Sequence, residues 1–348
     1  MNKRIIITIL SIFVVLLLGL SIFFFYGMSP KDKNDNTVLF TLNSGTSKLA
    51  IADALEEQGI IRSALVLKAY LLFHNKMNLQ AGVYELKSNM SPKDILNKMA
   101  SGEVKNDSIS ITLIEGRRLS EYQSIIANKL NIPLTEIEQK MKDQEYLNTL
   151  ISKYWFLEST ILNPEIYNPL EGYFFPDTYE FKEQNTIEEV IEKILNHTEQ
   201  KLNTVKNSIV NSEYSVHDIL SMAAIIELEA VTENDRNTVS QVIRKRLTKQ
   251  MGLGMDVTTY YAVKKAMGDS LTLTDLKTVS PYNTSEMNAS MAGKLPIGPI
   301  CNPSIMSIQS ALNPTETDYL YFFADIKTGK VYFSKTFEEH VQVQKEIG

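Results

Sequence analysis

Glu227 and Glu229 are the residues whose type and setting come nearest to acid–base chemistry. Glu227 lies in the run 216–231, where Val216, Leu220, Ala223, Ala224, Ala230 and Val231 fall on its helical face, because positions three, four and seven apart stack on a helix. Burial in such a stripe disfavours the charged form of a carboxylic acid. Its pKa rises, and it can hold a proton near neutral pH, as a general acid must. A plainer reading is also open, in which Glu227 marks a helix boundary and reaches solvent or pairs with a distant Lys. Glu229 shares its face with Met222, Ile225, Ile226, Glu233 and Arg236, so Arg236, seven positions on, is its expected partner if the helix continues. A charge-paired Glu stays ionised and makes a poor acid. Glu229 is therefore expected either to orient groups around a site or to form a structural salt bridge.

Other chemistries find no support in the residues. His74, His197, His217 and His340 have no close ligand spacing, so no metal site is expected, and no cofactor motif is present. Serine-nucleophile and phosphate-loop signatures are absent. Cys301, the one cysteine, sits among prolines and reads as a small buried hydrophobe.

The elements that must position the two carboxylates follow from periodicity and caps. Helices are expected over 216–232, 234–250, 257–267 and 303–312, then a hairpin with strands 319–325 and 330–334, and a last helix from Phe337 onward. Upstream, polar helices are expected over 135–150 and 186–210, behind a strand at 109–114 and a helix at 119–130. Nearer the N-terminus, strands at 38–42 and 81–86 enclose helices started by Ser47 and Ser63, and Ser91 starts a third helix that stops at Gly102. This is a small βααβ unit with a trailing helix.

Ahead of it, Lys3 and Arg4 precede an almost unbroken apolar run over 5–26. At ~1.5 Å per residue such a run spans roughly 33 Å, enough for a hydrocarbon core of about 30 Å. No small-x-small cleavage site follows, so an uncleaved anchor is expected, with residues 1–4 in the cytoplasm and the body outside. Residues 27–37 read as an exposed tether, 38–104 as the small domain, 105–210 as a connecting part of the catalytic region and 211–348 as its core. The fold class is α+β. An exported chain whose single cysteine allows no internal disulfide fits a bacterial envelope, and a net charge of -6 without a basic stripe argues against nucleic acid as a partner.

The run Met222-Ala223-Ala224-Ile225-Ile226-Glu227-Leu228-Glu229-Ala230 is similar to the signature of the endolytic murein transglycosylases, membrane-anchored glycan lyases of bacterial cell-wall synthesis. In that signature a Glu follows two aliphatics and a second Glu lies two on. Further blocks agree in order: Gly82-Val83-Tyr84, Glu115-Gly116-Arg117-Arg118-Leu119, Glu171-Gly172-Tyr173-Phe174-Phe175-Pro176-Asp177-Thr178-Tyr179, then 280–284, 295–303 and 319–325 with Tyr332-Phe333-Ser334. The chain departs from the family pattern at Leu228, Val257 and Ile297, and its stretch 285–294 is longer than the usual loop.

The resemblance implies a LysM-like small domain and a catalytic domain whose acid/base is Glu227. It implies peptidoglycan glycan strands as substrate, the cytoplasmic membrane as support and a penicillin-binding peptidoglycan synthase as neighbour. One acid suffices for such a lyase. It protonates the oxygen between MurNAc and GlcNAc, then as carboxylate takes the proton of the MurNAc C6 hydroxyl as that oxygen closes onto C1, whereas most glycoside hydrolases need a second carboxylate. Asp256, Tyr282 and Asn283 are candidates for sugar contacts, since glycans are held by planar polar groups and aromatic faces. For Asp256 and Asn283 a helix cap and a turn are the structural alternatives. Tyr179 belongs to an aromatic block that reads either as a stacking wall or as core. The contrasting function is an anchored peptidoglycan-binding or assembly protein without turnover. An acid on an apolar helix face is what a pure binder has no reason to keep.

Overall fold

Serine caps set out the first part of the chain. In the structure, a computed structural model that describes residues 3–105, 108–182, 184–325 and 328–347, the chain divides into two units, Met1–Asp107 and Ser108–Gly348. The first opens with helix α1 (Lys3–Gly27), whose residues 6–27 are long and apolar enough to cross a membrane and are exposed along most of their length, with Gly27 buried at the end. Strand β1 (Thr37–Leu42), helices α2 (Lys48–Glu57) and α3 (Ala64–Phe73), strand β2 (Gly82–Lys87) and helix α4 (Pro92–Ser101) follow. Ser47 accepts from the Ala50 amide and Ser63 from the Val66 amide, while Ser91 and Asp94 form a reciprocal capping box. β1 pairs antiparallel with β2, from Thr37 opposite Lys87 to Leu42 opposite Gly82. Beneath the pair, Phe40, Leu55, Leu67, Tyr84, Leu86 and Leu96 make a separate core.

Of residues 27–37, read from the sequence as a tether, Gly27 ends α1 and Thr37 opens β1, while those between, mostly exposed, are bonded to this unit. Asp32 N–H donates to the Ser88 carbonyl, Ser88 N–H to the Asn36 carbonyl and Ser88 Oγ to the Asn34 carbonyl, and Arg62 Nε donates to the Pro30 carbonyl. Polar composition promised solvation, which these residues have. It did not reveal that their carbonyls would be captured by Ser88 and Arg62.

The second unit begins with β3 (Ser108–Thr112) and α5 (Leu119–Leu130). The helix expected over 135–150 is two, α6 (Leu134–Lys140) and α7 (Gln144–Lys153), because Asp143 accepts from the amides of Glu145 and Tyr146 and starts a new helix. Strand β4 (Thr178–Lys182) went unread within the aromatic block, and it pairs antiparallel with β3, Ile111 opposite Tyr179. Its two-residue alternation is there, but its partner lies 66 positions upstream. The helix expected over 186–210 is likewise α8 (Ile187–Asn203) and α9 (Lys206–Val210). Then come α10 (Val216–Glu229), α11 (Glu233–Thr248), α12 (Asp256–Ala262), α13 (Leu273–Leu276) and α14 (Ile305–Leu312), the hairpin of β5 (Tyr321–Asp325) and β6 (Lys330–Ser334), and α15 (Phe337–Ile347). α10 is the axis of this unit: every residue from Ile219 to Ile226 is buried, and α11, α12 and α14 pack around it. A helix apolar all round belongs inside a core.

Candidate active site

α10 is started by Ser215, which shares a capping box with Asp218, and it stops at Glu229 because Ala230 is extended, φ -141° and ψ 140°. Glu227 therefore stands in its last turn, where the buried helix surfaces into a cleft of about 700 Å³. The walls are the turn Glu115-Gly116-Arg117-Arg118, Ser120 and Glu121 of α5, Leu228, Val257, Lys264, Met267 and Ile300. Three of the blocks that carried the family resemblance meet behind it on Asn302. Its Oδ1 accepts from the amides of Gly172 and Phe174, and its Nδ2 donates to the Arg117 carbonyl at 3.1 Å. Glu171, 1% exposed, accepts from the Leu119 amide at 2.6 Å and from Tyr261 Oη at 3.0 Å. Burial pushes its pKa up to about 7. It ties α5 to α12 rather than facing the cleft.

Both oxygens of Glu227 are engaged, and its side chain is 5% exposed. Oε2 accepts from Ser304 N–H at 2.9 Å and Ser304 Oγ at 2.6 Å. Ser304 is the N-cap of α14, so the carboxylate meets the positive end of a helix, which offsets its place at the negative end of α10. Oε1 lies 3.6 Å from Arg236 Nη2, an ion-pair distance rather than a hydrogen bond, so it keeps a lone pair for another donor. Arg236 is itself buried and held by the Ala230 carbonyl through Nε.

This reverses the pairing expected from the sequence. Arg236 was assigned to Glu229 on the premise of a continuous helix, but the break at Ala230 lets α11 restart at Glu233 and fold back along α10, which delivers Arg236 to Glu227. Glu229 carries a raised carboxyl. Loss of hydration pushes the Glu229 pKa up to about 8, and the Asp256 charge adds to the shift. Asp256 is the first residue of α12, after an N-cap at Met255. It is exposed as a residue, yet the surroundings of its carboxyl raise its pKa as well.

The remaining candidates are buried away from the cleft. Tyr282 is 0% exposed, packed between the rings of Tyr167 and Tyr261, and accepts from the Tyr167 amide. Asn283, also 0% exposed, accepts from Thr259 Oγ1 and donates to the carbonyls of Leu276 and Thr278, which closes a turn. Tyr179 donates from Oη to the Phe175 carbonyl and stacks on Phe181. Sequence reasoning passed over Ser304, Lys264 and Met267. Ser304 carried a readable signal, a serine in the first turn of the helix expected at 303–312, which in fact starts after it at Ile305. Nothing in the sequence pointed Lys264 or Met267 at Glu227.

The YceG-like family model matches residues 40–346. An endolytic murein transglycosylase of Bacillus subtilis is 34% identical over 329 residues, which is 93% of this chain and 89% of the relative. One of Streptococcus pneumoniae serotype 2 is 29% identical over 328 residues, 89% of this chain but 58% of the relative, so the chain spans little more than half of that longer protein. A crystal structure of a YceG-like protein from Listeria monocytogenes, 34% identical, covers 89% of this chain and 100% of its own, with a TM-score of 0.63.

Proposed function

The chain belongs to the YceG-like family, and from that premise we propose that it is a membrane-anchored lytic transglycosylase that cuts the MurNAc–GlcNAc bond within peptidoglycan strands, with Glu227 as its acid/base. The observation that carries the assignment is the setting of Glu227: a carboxyl in the wall of an open cleft, clamped on one oxygen and free to bond on the other. Both Ser304 donors converge on Oε2, so the proton of the acid form belongs on Oε1. From there it passes to the glycosidic oxygen as the bond to MurNAc C1 breaks, and GlcNAc leaves with a free hydroxyl. The carboxylate, again paired with Arg236, then takes the C6 hydroxyl proton as O6 bonds to C1, and the glycan ends in 1,6-anhydroMurNAc. Preorganised donors around developing charge supply much of such an acceleration.

A second reading is favoured by one observation. Glu229, pushed up to about 8, holds a proton at neutral pH, and the charge of Asp256, itself a raised carboxyl, adds to that shift. In that reading two carboxyls act and water opens the sugar, as in hydrolases. Digestion of purified sacculi by the full-length protein separates the two. Anhydro ends without incorporation of solvent oxygen support the lyase. Reducing MurNAc ends carrying solvent oxygen overturn it, and no cleavage at all by folded protein returns the chain to the binding class.

The rest of the chain is read in the same terms. The N-terminal helix is the single-pass anchor, with its short tail in the cytoplasm. The order strand, helix, helix, strand supports a LysM-like role for the small unit, holding glycan. A penicillin-binding synthase supplying nascent strands is the neighbour this placement suits.

A further inference from the structure

Helix α3 shows three faces, and only two of them are accounted for. Ala64, Leu67 and Leu71 point into the core of the small unit. Val66 takes the end of α1: a Cβ on Gly27 would stand 2.6 Å from Val66 Cγ2, so glycine lets the anchor finish flush against α3. The third face carries Leu65, Ala69 and Leu72, spaced four and three apart, with Phe73 beside them. Leu65 is 68% exposed, Leu72 70% and Phe73 87%. Large apolar side chains gathered on one helix face mark an interaction surface, whereas scattered ones would need no explanation.

We infer that this face of α3 rests in the headgroup layer of the same membrane that α1 spans, so that the small unit lies on the bilayer instead of standing off it. The inference rests on the reading of α1 as an anchor. Its occupant follows from continuity. Residues 6–27 fill the hydrocarbon core, so Gly27 ends at the membrane surface and Val66, in contact with it, fixes the start of α3 at that level. Leu72 is six residues from Val66, about 9 Å along the helix at most, and the polar layers add roughly 5–7 Å on each side of the core. The anchor cannot swivel freely against the unit. Arg62 Nη1 donates to Tyr26 Oη at 3.0 Å, the guanidinium lies 4.7 Å from the Tyr26 ring, and Arg62 Nε holds the Pro30 carbonyl. An exposed Tyr with a basic partner at the end of a span is the usual composition of the headgroup level. Burying Leu65, Leu72 and Phe73 there removes apolar surface from water without the entropy of ordering a loop.

The test uses the full chain in vesicles of phosphatidylethanolamine and phosphatidylglycerol. Cys301 is buried, 0% exposed, so a single added cysteine can be spin-labelled. Labels at Phe73→Cys and, in a separate protein, Leu65→Cys are expected to be reached by oxygen and shielded from a water-soluble nickel complex, while a label at Lys93→Cys on α4 is reached by nickel. Phe13→Cys reports the anchor itself. Free nickel access at positions 65 and 73 with Phe13→Cys shielded overturns the inference and leaves the anchor standing; nickel access at Phe13→Cys removes both. Shielding at 73 that disappears when the protein is diluted in lipid identifies a second copy as the occupant and also overturns it.

Discussion

At the scale of single residues, the proposed reaction turns on which of two carboxylates two positions apart delivers the proton. The sequence singled out Glu227 and Glu229, and it did so for a sound reason, since both fall on apolar faces of one helix. It could not allocate their partners, because that depends on where α10 breaks and how α11 returns. Glu227→Gln keeps size and hydrogen bonding but carries no proton to deliver, and acid/base groups typically contribute about 10²–10⁴-fold. We expect at least a ~100-fold loss of cleavage product with an unchanged circular dichroism melt. Glu229→Gln is expected to retain most turnover, and the opposite ranking would move the acid to Glu229. The two variants also separate by pH. The Glu229 carboxyl has a higher pKa folded, about 8, than unfolded, so the native state binds more protons and stability falls as pH rises from the ordinary carboxylate range through about 8. Below that range both states are protonated, so the slope is zero and the stabilisation is fully present. Melting temperatures measured between about pH 5 and about pH 9 should therefore decline more steeply for the native protein than for Glu229→Gln. Equal slopes would mean that Glu229 is hydrated.

At the scale of elements, capped helices were the legible part and long-range pairings were not. Ser47, Ser63 and Ser91 announce α2, α3 and α4 through local hydrogen bonds that a few neighbouring residues determine. β4 depends on β3, far upstream, and Asn302 joins segments around Arg117, Gly172 and Phe174, none of which local pattern can connect. Tyr282 and Asn283 show a second limit of local pattern. Polar and aromatic residues in a Pro- and Gly-rich loop resemble a binding surface, yet here they satisfy buried backbone and stack against neighbouring tyrosines. Gly172 exposes how tightly this junction is closed: its φ is +84°, and a Cβ would stand 2.4 Å from Pro299 Cβ. Left-handed backbone alone costs an L-residue roughly 1–2 kcal/mol, and the clash adds to that. Gly172→Ala should therefore lower stability by more than about 2 kcal/mol in denaturant titration. A loss below 0.5 kcal/mol, roughly the level of a surface substitution, would show that the 295–303 loop moves away easily.

At the scale of the whole molecule, the proposed orientation rests on the charges before the apolar run. Lys3 and Arg4 lie ahead of the span, and basic residues flanking a first helix hold that end in the cytoplasm, while a long following region crosses regardless of its own scattered lysines. The glycan strands proposed as substrate belong outside the membrane, so the lyase reading and this orientation stand or fall together. Protease added to intact spheroplasts is expected to remove both units while a cytoplasmic marker survives, and lysis should change nothing further. Full protection until lysis would put the cleft of Glu227 on the side of the membrane where no peptidoglycan strand exists, and the proposed reaction would lose its substrate.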